Sequence, residues 1–340
     1  MALSTSRLGI AGDTSGVTDW ASSNALFLKQ FAGEVITAFE TANIMMALHT
    51  VRTISSGKSA QFPVIGTAEA KYHTPGNSVI SDETRAEIQH NERTIGIDDL
   101  LLSAAFVDSL EEAKNHYDYR SEYTRKLGYA LAKKADQQLL SVVANAAEGL
   151  VASPQAAGGA SIEIVPGAIA ATDAAITSAQ LVSALFTAAA RLDAADIPDQ
   201  DRYVVFGPTL YYNLISNGSA GFSVSTSVAN SDIGGSGFGS GKVPMIAGFE
   251  IYKSNNLPTT NQSDEAGVSS LNDYSHSASS NALKGVAFHR SAVGTVKLKD
   301  LALETEYQVE RQGSLMVAKY AMGHGVLRPD ASIILIDTAS

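Results

Sequence analysis

A mixed α+β fold is predicted, organised around one helix far longer than its neighbours and one long projecting hairpin. Three observations carry it. From Asp108 to about Glu148 the chain has no Pro and a single Gly, and Leu110, Tyr117, Leu127, Leu131, Ala135, Leu139, Val142 and Ala146 recur at the spacing of one helix face. From Ser59 to Ile97 the period changes to two. After Leu283 short β-rich segments follow one another: VAFH, TVKL, LALETEY, LMVAKYAMG and SIILI.

The chain opens on a Ser/Thr/Gly-rich stretch, residues 1–23, with little to bury. Asn24 then caps a predicted amphipathic helix with Leu28, Phe31, Val35 and Phe39 on one stripe. In the hairpin, Phe62, Val64 and Tyr72 share one face, and Gln61 and Ile65 share the other. Thr74-Pro75-Gly76-Asn77 suits a type II turn, with Pro setting the first central residue and Gly supplying positive φ at the second. Neither face carries enough large apolar residues to stabilise the hairpin alone. Such a finger needs another subunit to cover it.

The long helix is expected to start with Asp108 accepting from its free N–H groups and to end at Gly149. About 40 residues at 1.5 Å each make a rod of about 60 Å. Its polar face carries Glu111, Lys114, Asp118, Glu122, Arg125 and Lys133, with Glu122 and Lys126 forming an i,i+4 pair. One narrow apolar stripe on so long a rod predicts a spine with other layers lying against it.

The stretch SPQAAGGASIEIVPG reads as a loop-rich junction. Thr177 and Ser178 open a second helix that ends before Ile197-Pro198, because proline disfavours helix at the residue before it. Arg202 to Phe206 is a short buried strand, and Pro208 starts a helix through Ile215. Residues 217–241 are a Gly/Ser-rich surface loop, and Met245 to Pro258 is a strand with a turn. The Ser/Asn-rich segment 259–282 has no Lys or Arg and is expected to be an exposed acidic loop. Gly323-His324-Gly325 is expected to be a turn.

Composition excludes several functions. With 340 residues, 45% hydrophobic and 17% charged, the chain supports a large core. A net charge of -11 argues against a protein whose task is to grip nucleic acid. No cysteine means no disulfide and no thiolate metal site. The start lacks a signal-peptide core and no apolar run is long enough to span a membrane, so a soluble chain folding in a cytoplasm is expected.

Chemistry-bearing motifs fail on spacing. Ser56-Gly57-Lys58-Ser59 resembles the end of a phosphate loop, but Arg52 stands where its first glycine belongs. In the Gly-rich run 234–242, Ser236 holds that place. The seven histidines show no ligand spacing, and Asp98-Asp99 and Glu111-Glu112 are adjacent pairs whose side chains diverge on a helix. No nucleophile motif is present. No enzyme, cofactor or metal is expected.

Five stretches in order, ALFLKQFAGEVITAF, VRTISSGKSAQFPVIG, EEAKNHYDYRSEYTRKLG, HRSAVGTVKLKDLALE and VAKYAMGHGVLRPDA, resemble the major capsid protein of short-tailed, podovirus phages of the autographivirus type, which include cyanophages. They cover about half of the chain; the residues between Ala152 and Asn281 match weakly. The resemblance implies the α+β Hong-Kong-97-type tailed-phage capsid fold. It divides the chain into an N-terminal arm at 1–45, an extended loop at 46–100, a peripheral domain with its spine helix at 101–165 and an axial domain at 166–258. A surface loop at 259–282 and return strands at 283–340 complete it.

The implied function is a structural coat protein of hexamers and pentamers, in an icosahedral T=7 head assembled in the host cytoplasm around double-stranded DNA held without sequence-specific contacts. Implied partners are further copies of the chain, a scaffolding protein, a portal, and decoration or fibre proteins; there is no membrane. An acidic wall fits, since one that gripped DNA would hinder ejection. The alternative is a decoration or host-binding module on a virion. Candidate subunit contacts are Arg52, Lys58, Phe62 and Tyr72 on the finger and Glu111, Glu112, Asp118 and Glu122 on the spine, with the two basic residues expected to meet carboxylates of a neighbouring spine.

Overall fold

The computed structural model describes residues 43–65, 90–110, 119–148, 160–164, 176–216, 245–258, 262, 267–276 and 283–337, with isolated positions between 70 and 78. The amphipathic helix expected at 24–39, the Gly/Ser-rich loop at 217–241 and the helix end at Gly149 lie outside the described residues.

Helix α1, Tyr119–Ala147, is the axis of the molecule. Its 29 residues span about 44 Å at 1.5 Å per residue. The two halves of the rod differ. From Ala135 to Ala147 every residue except Gln137 is buried, whereas Tyr123, Arg125, Ala130 and Lys133 in the first half face solvent. The single narrow stripe expected from spacing therefore holds only for the first half. In the second half, Ala, Ser and Asn close the gaps between the large side chains, and the helix is enclosed on all sides.

Two sheets share this helix. The first has the order β1-β10-β11-β4, from β1 (Thr50–Thr53), β4 (Leu101–Asp108), β10 (Val293–Gln308) and β11 (Gly313–Val326). Met316, Ala318, Tyr320 and Met322 of β11 pack on Leu127, Leu131 and Ala135. The second has the order β5-β12-β9-β6-β8-β7, from β5 (Ala160–Ile164), β6 (Arg202–Phe206), β7 (Met245–Ile246), β8 (Phe249–Lys253), β9 (Leu283–His289) and β12 (Ser332–Asp337). With α2 (Ser178–Ala194) and α3 (Pro208–Ser216) it forms the main core against Leu139, Leu140, Val142 and Val143.

Local rules place several of these elements. Thr177 caps α2 in a capping box with Gln180, and the helix ends at Ala194, ahead of Pro198. All five residues of β6 are buried, as a fully covered strand requires. Ala247 and Gly248, both at positive φ, join β7 to β8 in a tight hairpin.

One expectation about element bounds is met and two are corrected. Asp108 is the last residue of strand β4 and, as expected, caps the helical residues that follow it: its Oδ1 accepts from Leu110 N at 2.7 Å. LLSAAFVD, just before it, alternates and pairs with β11 from Leu101↔Tyr320 to Asp108↔Gly313. Residues 160–164, inside the stretch read as a junction, form β5. TVKL and LALETEY are one strand, β10, broken only by irregular register at Lys299.

Gly323-His324-Gly325 is strand, not turn: it lies inside β11 opposite Val296, Thr295 and Gly294. The glycines serve a close approach. A Cβ on Gly323 would sit 1.8 Å from Gly96 O, and one on Gly325 2.8 Å from Ile95 Cγ1. The hairpin base thus rests backbone-on-backbone against β11.

The expected exposed acidic loop is corrected as well. Residues 267–276 hold the hairpin base to α1, with Asn272, Tyr274 and His276 buried. Asn272 Nδ2 donates to Gly96 O at 2.9 Å and to Asp98 Oδ1 at 2.7 Å, and its Oδ1 accepts from Gly96 N at 3.0 Å. Tyr274 OH donates to Asp98 Oδ2, and Asn145 Nδ2 donates to Ser275 O at 2.9 Å.

Candidate subunit interface

The finger is an antiparallel pair, β2 (Ser59–Ile65) with β3 (His90–Gly96), in register from Ser59↔Gly96 to Ile65↔His90. Period two sorts β2 as predicted: Ala60, Phe62 and Val64 turn inward, while Gln61 and Ile65 face solvent. At the base Ala60 and Ile95 form a small core with Val296, to which Phe62, Ile97 and Leu327 add. Further out Ile65 is 57% exposed and Tyr72 fully so. Pro75 and Gly76 lie in a turn with Gly76 at φ 96, the positive value expected for a type II turn.

Arg52 in β1 donates from Nη1 to Gln61 O at 3.0 Å and lies over the Phe62 ring at 5.5 Å. Arg52 and Phe62 are therefore one contact unit at the finger base. Lys58 is exposed beside it, and its carbonyl accepts from Ile97 N at 2.8 Å. Glu122 in α1 pairs with Arg125 at 3.4 Å, a partly exposed i,i+3 pair. Glu111, Glu112 and Asp118 lie outside the described residues.

Spacing did not single out a second uncovered surface. Strand β1 covers the edge of β10 only from Gly294 to Lys297. Beyond it, Lys299 to Tyr307 are all exposed, and Leu301, Leu303, Tyr307 and Val309 form an apolar ledge on that side. On the other edge Leu102 and Phe106 of β4 are also exposed. Between the ledge and α1 runs a groove of about 310 Å3 whose lining includes Met46, Leu131, Ala135, Leu301, Tyr320 and Met322. The alternation in LALETEY was the available signal, with Leu301 and Leu303 on one face.

Buried charge anchors structure here. Asp136 in α1, completely buried, accepts from Ile44 N at 3.0 Å, Met45 N at 3.1 Å and Asn256 Nδ2 at 3.1 Å. Burial raises the carboxyl pKa of Asp136 and likewise that of Asp98. Among the described residues no cluster of three or more His, Asp or Glu could hold a metal ion, and no helix is long and apolar enough to cross a membrane.

A finger and a ledge left uncovered among the described residues agree with what comparison finds. The Gp10A-like major capsid protein family model matches residues 61–336. The chain belongs to this family of phage major capsid proteins. It is 36% identical to the major capsid protein of Escherichia phage T7 over 322 residues, 91% of this chain and 90% of that protein. The capsid structure of the cyanophage P-SCSP1u superimposes with a TM-score of 0.76 at 41% identity, each chain covered completely. The mature capsid subunit of bacteriophage PhiM1 gives a TM-score of 0.71 at 17% identity over 99% of this chain and 98% of that one, a likeness of fold.

The fold is therefore the Hong-Kong-97-type capsid fold, and the chain is a major capsid protein of a T7-like podophage. Its place is the phage virion. It is a structural protein and not an enzyme. Capsid assemblies of this kind are shells of many copies, so a homo-oligomer is its working state.

Proposed function

We propose that this chain forms the hexamers and pentamers of an icosahedral phage head, on a T=7 lattice, around packaged double-stranded DNA. One observation carries the reading: in a single chain the main core is closed, while the hairpin and the outer half of β10 are left uncovered. Copies of the same molecule cover them. The finger, residues 46–100, acts as the extended loop, the spine with β4, β10 and β11 as the peripheral domain, and residues 166–258 as the axial domain. The subunit is made late in infection, assembles in the host cytoplasm with a scaffolding protein, and admits a portal at one vertex. Decoration or fibre proteins dock outside.

The contact residues follow from this arrangement. Arg52, Lys58, Phe62 and Tyr72 present the finger to a neighbour, and Glu111, Glu112, Asp118 and Glu122 receive its base from the adjoining spine. Many weak contacts of this kind add up across a closed shell. Light scattering and negative-stain microscopy of purified full-length chain test the reading. Capsomers or shells are expected; a solitary monomer at every concentration that permits assembly would sink it.

A further inference from the structure

Three buried side chains at the finger base form a relay whose protons can be assigned. His49 Nδ1 lies 2.6 Å from Met45 O, its Nε2 lies 2.5 Å from Thr295 Oγ1, and Thr295 Oγ1 lies 2.8 Å from His324 Nδ1. All three residues are buried. A carbonyl only accepts, so His49 carries its proton on Nδ1. A neutral ring then accepts at Nε2, and the Thr295 hydroxyl must supply that hydrogen. With its hydrogen committed, the Thr295 oxygen accepts from His324 Nδ1–H. His324 Nε2 is left bare and buried, with no hydrogen-bond partner among the described residues.

The relay adds side-chain hydrogen bonds between elements that also meet through backbone ladders and apolar packing. His49 follows the 3-10 turn Met45–Ala47, whose amides Asp136 of α1 holds, and directly precedes β1. Thr295 and His324 face each other across β10 and β11. His324 N in turn donates to Tyr274 OH at 3.1 Å, and Tyr274 reaches Asp98 at the hairpin base. A continuous polar path therefore runs from the spine to the finger.

We propose that His49, Thr295 and His324 form an acid-labile clasp that holds β1 and the finger base against β10 and β11 only while both rings are neutral. A proton on His49 Nε2 points two donors at Thr295 Oγ1 and orphans its hydroxyl hydrogen. A proton on His324 Nε2 finds no hydrogen-bond partner among the described residues. The charges facing the rings do not help: Lys297 of β10 bears on both, Arg290 in the turn after β9 bears on His49, and the rings repel each other when charged. Asp98 is occupied by Tyr274, Asn272 and Ser269 N, and Asp136 by the 3-10 turn and Asn256.

Burial, the main cause, lowers the pKa of His49 to about 4 and that of His324 to about 3. An unfolded imidazole titrates near 6.5, so below that pH the unfolded state binds more protons than the folded one. Stability from the clasp is present above pH 6.5 and lost as pH falls toward 4. Asp98 and Asp136, raised by burial, shift the opposite way: acid relieves the cost of their charge.

The test uses full-length chain labelled with 15N-histidine, its ring signals followed from pH 8 to 5 and assigned with the variants His49→Gln and His324→Asn. Two rings protonated on Nδ1 and still neutral at pH 5.5 are expected, where an ordinary imidazole is about 90% charged. A proton on Nε2 in either neutral ring, or titration of either near 6.5, overturns the clasp. Urea unfolding supplies the second reading. Below about pH 5.5 the unfolding constant of the native sequence should rise with acid more steeply than that of H49Q/H324N, by close to 100-fold per pH unit. Equal slopes overturn the proposal. If the double variant does not fold, the ring tautomers of the native chain decide.

Discussion

The two sheets of this subunit meet the same helix and are finished to different degrees. In the six-stranded sheet every residue of β6 is buried, and α2, α3 and the second half of α1 close its core. In the four-stranded sheet β10 begins with four buried residues and, from Lys299 to Tyr307, exposes nine in succession. The first sheet folds for itself. The second is stable where α1 and the finger base cover it and stops short where a neighbour is expected. The difference teaches that folding and assembly draw on separate parts of one sequence, so mutations should separate the two as well.

The largest expected effect lies in the closed half. Leu139→Ala empties a completely buried site between α1 and the six-stranded sheet and should cost about 2–5 kcal/mol in urea unfolding, with assembly lost because the subunit is lost. Next comes the seam between the regions. Gly323→Ala puts a methyl group where Gly96 O stands and should cost about 1–3 kcal/mol while displacing the finger. Circular dichroism with particle counting should show more assembly lost than the fall in stability explains. A fully assembling G323A would show that the finger base tolerates displacement.

How much of this was legible depended on how local the governing physics is. Thr177 with Gln180, Pro198 and Pro208 fix α2 and α3 by capping and backbone restriction within a few residues, and the alternation in 59–65 placed Phe62 and Arg52's partner strand correctly. The segment 267–276 was illegible because its role rests on Gly96, Asp98 and Asn145, all more than 120 residues away. Of its apolar residues Val268, Leu271 and Tyr274, only Tyr274 is buried. Gly323-His324-Gly325 misled for a related reason: glycine permits both a turn and a close approach, and only the partner backbone tells which. Asp136 sits beside Ala135 of the apolar stripe, and a carboxylate there was an available sign of the buried hub that spacing alone did not single out.

The open half yields smaller folding effects and larger assembly effects. Leu303→Ala removes a side chain that is already 46% exposed, so the monomer should lose less than about 1 kcal/mol. Particle yield should nonetheless fall if, as proposed, a neighbour gains apolar contact at the ledge. Unchanged yield would place the interface elsewhere.

The smallest effect on folding is expected from charge at the finger. Arg52→Glu with Lys58→Glu removes the contact of exposed Arg52 with Gln61 O and with the half-buried Phe62 ring, and such solvent-facing interactions contribute about 0–1 kcal/mol. Monomer circular dichroism should match the native chain. In the proposed shell, however, each reversed charge meets a carboxylate of the next spine, and the repulsion repeats at every copy. Particle yield should collapse at low salt and recover partly at high salt, because screening shortens the range of exposed charges. Recovery with salt would mark the lost contact as electrostatic; a salt-independent collapse would instead locate the damage in the packing of Phe62 beneath Arg52.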